Sequence, residues 1–140
     1  MANIGFHKAI KENGGRTEIT AVGDRYVLEN MLANGYNLGG EQSGHIIFTD
    51  FSTTGDGPVT ALQVLSYLKR TRHKASAITK IMTSYPQLLV NVKVATKDGW
   101  EDNEAIKASI EEGKQQLGEN GRILVRPSGT EPLIRVMAEG

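Results

Sequence analysis

The chain has 140 residues, with 16 Lys+Arg set against 16 Asp+Glu and no cysteine. A formal charge of zero supplies no global field to attract nucleic acid or an acidic membrane, and the missing cysteines exclude disulfides, thiolate metal sites and a cysteine nucleophile. The apolar runs fall far short of the ~20 residues a membrane span needs, and Met1-Ala2-Asn3-Ile4 opens no secretory signal, so a globular, cytoplasmic protein is expected.

From Asn3 to Asn13, Ile4, Phe6, Ala9 and Ile10 recur at helical spacing before Gly14-Gly15, which predicts a short amphipathic helix. Thr17 to Val22 alternates as a strand does. Asp24 reads as the N-cap of a helix with Val27, Leu28, Met31 and Leu32 on its apolar face, stopped by Gly35. His45 to Thr49 predicts a second strand. Thr54 to Gly57 is a turn, and Pro58 suits the first position of a helix that would bury Ala61, Leu62, Leu65 and Leu68. The basic run from Lys69 to Lys74 lacks interleaved aromatics and reads as a solvated helix end. Ser76 could cap a short helix through Ile78 and Met82, and Pro86 breaks the pattern.

The remainder changes character. Leu88 to Val94 predicts a strand, and Glu101 to Leu117 a helix capped by Asp102, stopped by Gly118, with Ile106, Ile110 and Leu117 inward. Arg122 to Arg126 and Leu133 to Met137 predict two more strands. The expected architecture is therefore α/β and α+β: a partial α/β layer domain over 1–83, a linker over 84–87, and a small antiparallel-sheet α+β domain over 88–140. A closing helix over the second sheet would be expected beyond Gly140, so the chain reads as cut at its end. Incomplete layers of this kind predict pairing with another copy, a homo-oligomer.

Glycine clusters direct the search for chemistry. In Arg126-Pro127-Ser128-Gly129-Thr130-Glu131-Pro132, Arg126 offers a planar fork of donors, Ser128 and Thr130 offer hydroxyls, and Gly129 lets backbone N–H groups turn inward. That set suits an oxyanion; Pro, Ser, Gly and Thr also make ordinary hairpin turns. In Gly39-Gly40-Glu41-Gln42-Ser43-Gly44-His45, extended backbone would point Glu41, Ser43 and His45 the same way, a set suited to a polyhydroxyl or amino sugar. A glycine-rich turn with a solvated carboxylate explains the same residues. Asp24 and Arg25 stand at a helix start, where an anion contact is reasonable. Thr54-Gly55-Asp56-Gly57 holds a single carboxylate, too few for a metal loop and better explained as a cap. His7, His45 and His73 form no i, i+4 ligand pair, and none of the serines sits in a nucleophile elbow.

In this order the motifs closely resemble the back half of the α-D-phosphohexomutase family. Gly40-Glu41-Gln42-Ser43-Gly44-His45 is similar to the sugar-recognition loop of the family's third domain, and Arg126-Pro127-Ser128-Gly129-Thr130-Glu131-Pro132 to the phosphate-binding loop of its fourth. The resemblance implies that Glu41, Ser43 and His45 hold sugar hydroxyls or an amine. It likewise implies that Arg126, Ser128, Gly129 and Thr130 grip the phosphate that is not transferred, and that Asp24 and Arg25 line the substrate cleft. Gln42 places the resemblance nearest the glucosamine branch, in which glucosamine 6-phosphate and glucosamine 1-phosphate interconvert through glucosamine 1,6-bisphosphate. A mannose or glucose specificity, or a non-catalytic sugar-phosphate-binding module, are the alternatives. The family's phosphoserine and its aspartate-rich Mg²⁺ loop lie in its first and second domains and have no counterpart in this sequence. The expectation is a piece of a longer enzyme, without catalytic or metal residues of its own and inactive alone.

Overall fold

A computed structural model describes residues 1–140. The chain divides into two compact units, Met1–Thr83 and Ser84–Gly140. No helix is long and apolar enough to cross a membrane.

In the first unit, helix α1 (Ile4–Glu12) starts where the Asn3 side chain accepts the Gly5 N–H at 3.0 Å. The expected strand over Thr17–Val22 does not form. Alternation supplies a face but not a neighbour, and no strand lies beside this stretch to take its N–H and C=O groups; Ile19 is accordingly exposed. Helix α2 (Asp24–Asn34) ends at Gly35 in the left-handed region, φ 70°. Its N-cap is Gly23, so Asp24 is the first helical residue rather than the cap. Of the predicted face only Met31 is fully buried, and Leu32 is exposed.

Gly39-Gly40, expected in a loop, belongs to strand β1 (Leu38–Gly40), which pairs antiparallel with β2 (Ile46–Phe48) through Leu38↔Phe48, Gly39↔Ile47 and Gly40↔Ile46. Glycine is required there by proximity: a Cβ at Gly39 would run into the Met31 sulfur and lie 2.7 Å from Val27 Cγ1. The hairpin thus seats directly on α2, with Ile47 and Met31 as its buried centre.

Helix α3 (Gly57–Thr71) starts at Asp56, whose carboxylate accepts the Val59 N–H at 2.8 Å; Pro58 is its second residue. Lys69 and Arg70 occupy its last turn, exposed, as the basic run predicts. The predicted burial of its apolar face is not realised: Ala61, Leu62 and Leu65 are exposed and only Leu68 is half-buried. A fifteen-residue helix is roughly 22 Å long, whereas the three-residue strand beside it spans roughly 10 Å and cannot cover it. Helix α4 (Ala75–Ile78) is a single turn following Lys74. Ser76 lies inside it instead of capping it, and it stops short of Met82.

The second unit is a three-stranded antiparallel sheet with one long helix. Strands β3 (Gln87–Lys93), β4 (Arg122–Pro127) and β5 (Leu133–Glu139) take the order β3-β5-β4, so the last strand is central. After β3 the chain makes a 3-10 turn at Trp100–Asp102 and enters α5 (Glu104–Leu117). Asn103, not Asp102, caps that helix: its side chain accepts the N–H groups of Ala105 and Ile106 at 3.0 and 3.2 Å, while Asp102 closes the 3-10 turn. Ile110 and Leu117 are half-buried as expected, but Ile106 sits at the exposed margin.

The core of this unit runs along β5, where Leu133, Ile134 and Met137 are buried. Glu139 is buried too, and its carboxylate receives Arg122 Nε at 2.7 Å from the facing residue of β4. A buried carboxylate is tolerated when a charged donor meets it.

Candidate functional site

The loop joining β4 to β5 is folded onto itself by Ser128. Its N–H donates to the Leu133 carbonyl at 2.9 Å, its hydroxyl accepts the Glu131 N–H at 3.2 Å, and Leu133 N–H donates to the Glu131 carbonyl at 2.9 Å. Ser128 is therefore only 2% exposed, while Gly129 and Thr130 stand exposed at the tip. Pro127 is the last residue of β4, so the loop proper starts at Ser128.

Two arginines flank this turn. Arg126 faces Arg135 directly across β4 and β5. Arg135 Nη2 pairs with Glu131 at 3.2 Å, and Arg135 Nε is buried with no partner. Arg126 forms no ion pair. Like charges directly opposite on a sheet are unfavourable, and one carboxylate cannot neutralise two guanidiniums, so the loop base carries surplus positive charge that an anion would offset. A third cation approaches from the stretch after β3: Lys97 Nζ donates to the Ser128 carbonyl at 2.8 Å. Sequence reading missed both Arg135 and Lys97. Arg135 was findable, because antiparallel pairing across a short loop brings it opposite Arg126. Lys97 carries no local signal.

The other predicted site is the β1–β2 turn. Glu41, Ser43 and His45 do not form the extended stripe expected of them. Gly44 N–H donates to the Glu41 carbonyl at 3.1 Å and Glu41 N–H to the His45 carbonyl at 2.9 Å, which makes residues 41–45 a tight turn. Ser43 Oγ and His45 Nδ1 still meet at 3.1 Å, exposed to solvent. The Glu41 carboxylate turns away to the Gly23 N–H at 3.3 Å and the Met1 ammonium at 2.7 Å. That contact ties the turn to the start of α2. There the Asp24 carboxylate accepts the Arg25 N–H at 2.9 Å, and Arg25 Nε meets Glu29 at 2.7 Å. The hydrogen bond to Glu29, with its Coulombic attraction, raises the Arg25 pKa above its ordinary value.

No group of three or more His, Asp or Glu side chains is placed to hold a metal ion, and the Asp56 carboxylate is engaged in capping α3. The residues present do not fit a Mg²⁺ site. A shallow groove of about 620 Å³ along α5, lined by Trp100, Glu104 and Lys107 among others, contains none of the predicted site residues.

Residues 1–85 match the model of the phosphoglucomutase/phosphomannomutase alpha/beta/alpha domain III, and residues 89–140 match that of the C-terminal domain. The chain belongs to the phosphoglucomutase/phosphomannomutase family. A curated phosphoglucosamine mutase from Brevibacillus brevis is 56% identical over 140 residues, all of this chain and 31% of the relative. One from Anoxybacillus flavithermus is 57% identical over 139 residues, 99% of this chain and 31% of the relative. Among solved structures, an N-acetylphosphoglucosamine mutase from Aspergillus fumigatus aligns with a TM-score of 0.80 at 21% identity, over 99% of this chain and 33% of that one. A structure of the same fungal enzyme in complex with GlcNAc-6P and magnesium aligns with a TM-score of 0.79 at 19% identity, over 99% of this chain and 36% of that one. The likeness of fold is thus to the mixed α/β domain III and the small C-terminal domain. The chain spans about a third of the length of the relatives it matches.

Proposed function

We propose that this chain is the substrate-recognising portion of a phosphoglucosamine mutase, an isomerase interconverting glucosamine 6-phosphate and glucosamine 1-phosphate through glucosamine 1,6-bisphosphate. The observation that carries the reading is the β4–β5 loop. There, surplus positive charge from Arg126 and Arg135 stands beside an exposed Gly129-Thr130 tip, on a turn already held by Ser128. Positioning and electrostatics are most of what phosphoryl transfer asks of a protein, and a loop ordered before the anion arrives avoids the cost of ordering on binding. Arg126, Gly129 and Thr130 hold the phosphate that is not transferred, and Ser128 serves the same loop by pinning it from within. The Ser43–His45 pair contacts sugar hydroxyls or the amine, with Glu41 supporting the turn and Asp24 and Arg25 near its base. The phosphoserine and the Mg²⁺ ligands come from other parts of the parent enzyme, so this chain alone does not turn over. The reaction belongs to cytoplasmic amino-sugar metabolism supplying cell-wall precursors. The sequence similarity to curated phosphoglucosamine mutases favours glucosamine over mannose or glucose.

The test is an amide NMR titration of the chain with glucosamine 6-phosphate, using inorganic phosphate as control. Responses at Gly129 and Thr130 with both ligands, and at Ser43 and His45 with the sugar phosphate alone, are expected. Silence at Gly129 and Thr130 with both ligands would sink the proposal.

A further inference from the structure

Lys97 lies between β3 and the 3-10 turn, 31 residues from Ser128 in sequence, yet its ammonium donates to the Ser128 carbonyl at 2.8 Å. That carbonyl shares one peptide group with the Gly129 N–H. The peptide is trans, as all are in this chain, so its C=O and N–H point in opposite directions. A cation holding the oxygen on one side therefore turns the Gly129 N–H to the other. The remaining polar groups of Ser128 do not compete for this peptide, since its N–H is taken by Leu133 and its hydroxyl by the Glu131 N–H. The Gly129 and Thr130 N–H groups make no hydrogen bond within the protein, so they are the donors left over for a ligand. Gly129 has no side chain to resist rotation of the peptide plane, and a Cβ there would meet nothing within 4 Å. Without Lys97 nothing in the loop fixes that plane.

The geometry points to Lys97 as a positioning residue. It locks the Ser128–Gly129 peptide with the Gly129 N–H presented to the phosphate, and by polarising the carbonyl it strengthens that N–H as a donor. The inference rests on the phosphate reading of the loop and extends it to a residue outside the motif.

The test compares the unsubstituted 140-residue chain with Lys97→Met, Lys97→Gln and Lys97→Arg, each titrated with inorganic phosphate and followed at the amide resonances. In Lys97→Met the Gly129 amide is expected to move and exchange faster without ligand, and phosphate to bind roughly tenfold more weakly. Lys97→Arg, which keeps a charged donor, restores both. Should Lys97→Met fail to fold, Lys97→Gln is read in the same way. Phosphate binding to the Met or Gln variant within about twofold of the unsubstituted chain, with an unchanged Gly129 response, overturns the role of Lys97 and leaves the phosphate loop standing. An unsubstituted chain silent at Gly129 and Thr130 overturns the phosphate reading, and the role of Lys97 with it.

Discussion

The longer of the two units has the smaller core. Across Met1–Thr83 the large apolar side chains that are fully buried are Met31 and Ile47, whereas the shorter Ser84–Gly140 buries Leu133, Ile134 and Met137 on one strand. The difference follows from strand length. Seven-residue β5 is paired along both edges, so its neighbours shield it, while three-residue β1 and β2 leave most of α3 uncovered. The two candidate loops inherit this contrast. The β4–β5 loop springs from the best-supported strand and is pinned by Ser128 before any ligand arrives. The β1–β2 turn rests on a six-residue hairpin and one helix, with its Ser43–His45 pair in solvent. In the proposed mutase role, the β4–β5 loop would capture phosphate rigidly and the β1–β2 turn would contact the sugar adaptably.

The contrast can be broken at three places. Arg122→Ala should have the largest effect, because it removes the guanidinium that meets the buried Glu139 carboxylate; a loss of about 3 kcal/mol or more in denaturant unfolding is expected. Ile47→Ala should cost about 2–4 kcal/mol, read as lost amide protection in α2, β1 and β2; a much smaller loss would mean the first unit relies less on this hairpin than its burial implies. Leu65→Gln on the open face of α3 should change stability by less than about 0.5 kcal/mol. A loss well beyond that in a concentration-dependent melt would show that a second copy covers the face, the pairing expected of incomplete layers.

The elements of the second unit were legible because long β-branched runs and a capped amphipathic helix carry their own periodicity. Reading failed where the deciding partner was distant. Thr17–Val22 has the pattern of a strand but no neighbour. Gly39-Gly40 looks like a turn until Met31 is known to press against it. Leu62 and Leu65 have helical spacing without a surface to bury them. At the β4–β5 loop the motif residues were visible in sequence, since Ser, Gly and Thr act through local backbone geometry. Lys97 was not, because its contact spans helix α5 and strand β4. For Glu41, Ser43 and His45, alternation suggested a common face, but the turn hydrogen bonds between Glu41, Gly44 and His45 decided otherwise.

The 3-10 turn that follows the Lys97 stretch holds Trp100, the only tryptophan in the chain. Indole emission from this protein therefore arises from a single position, three residues from the lysine that grips the loop carbonyl. The molecule carries its own fluorophore beside the region of interest. Emission followed during phosphate addition or unfolding reports on Ser84–Gly140 alone, with no dye and no engineered label.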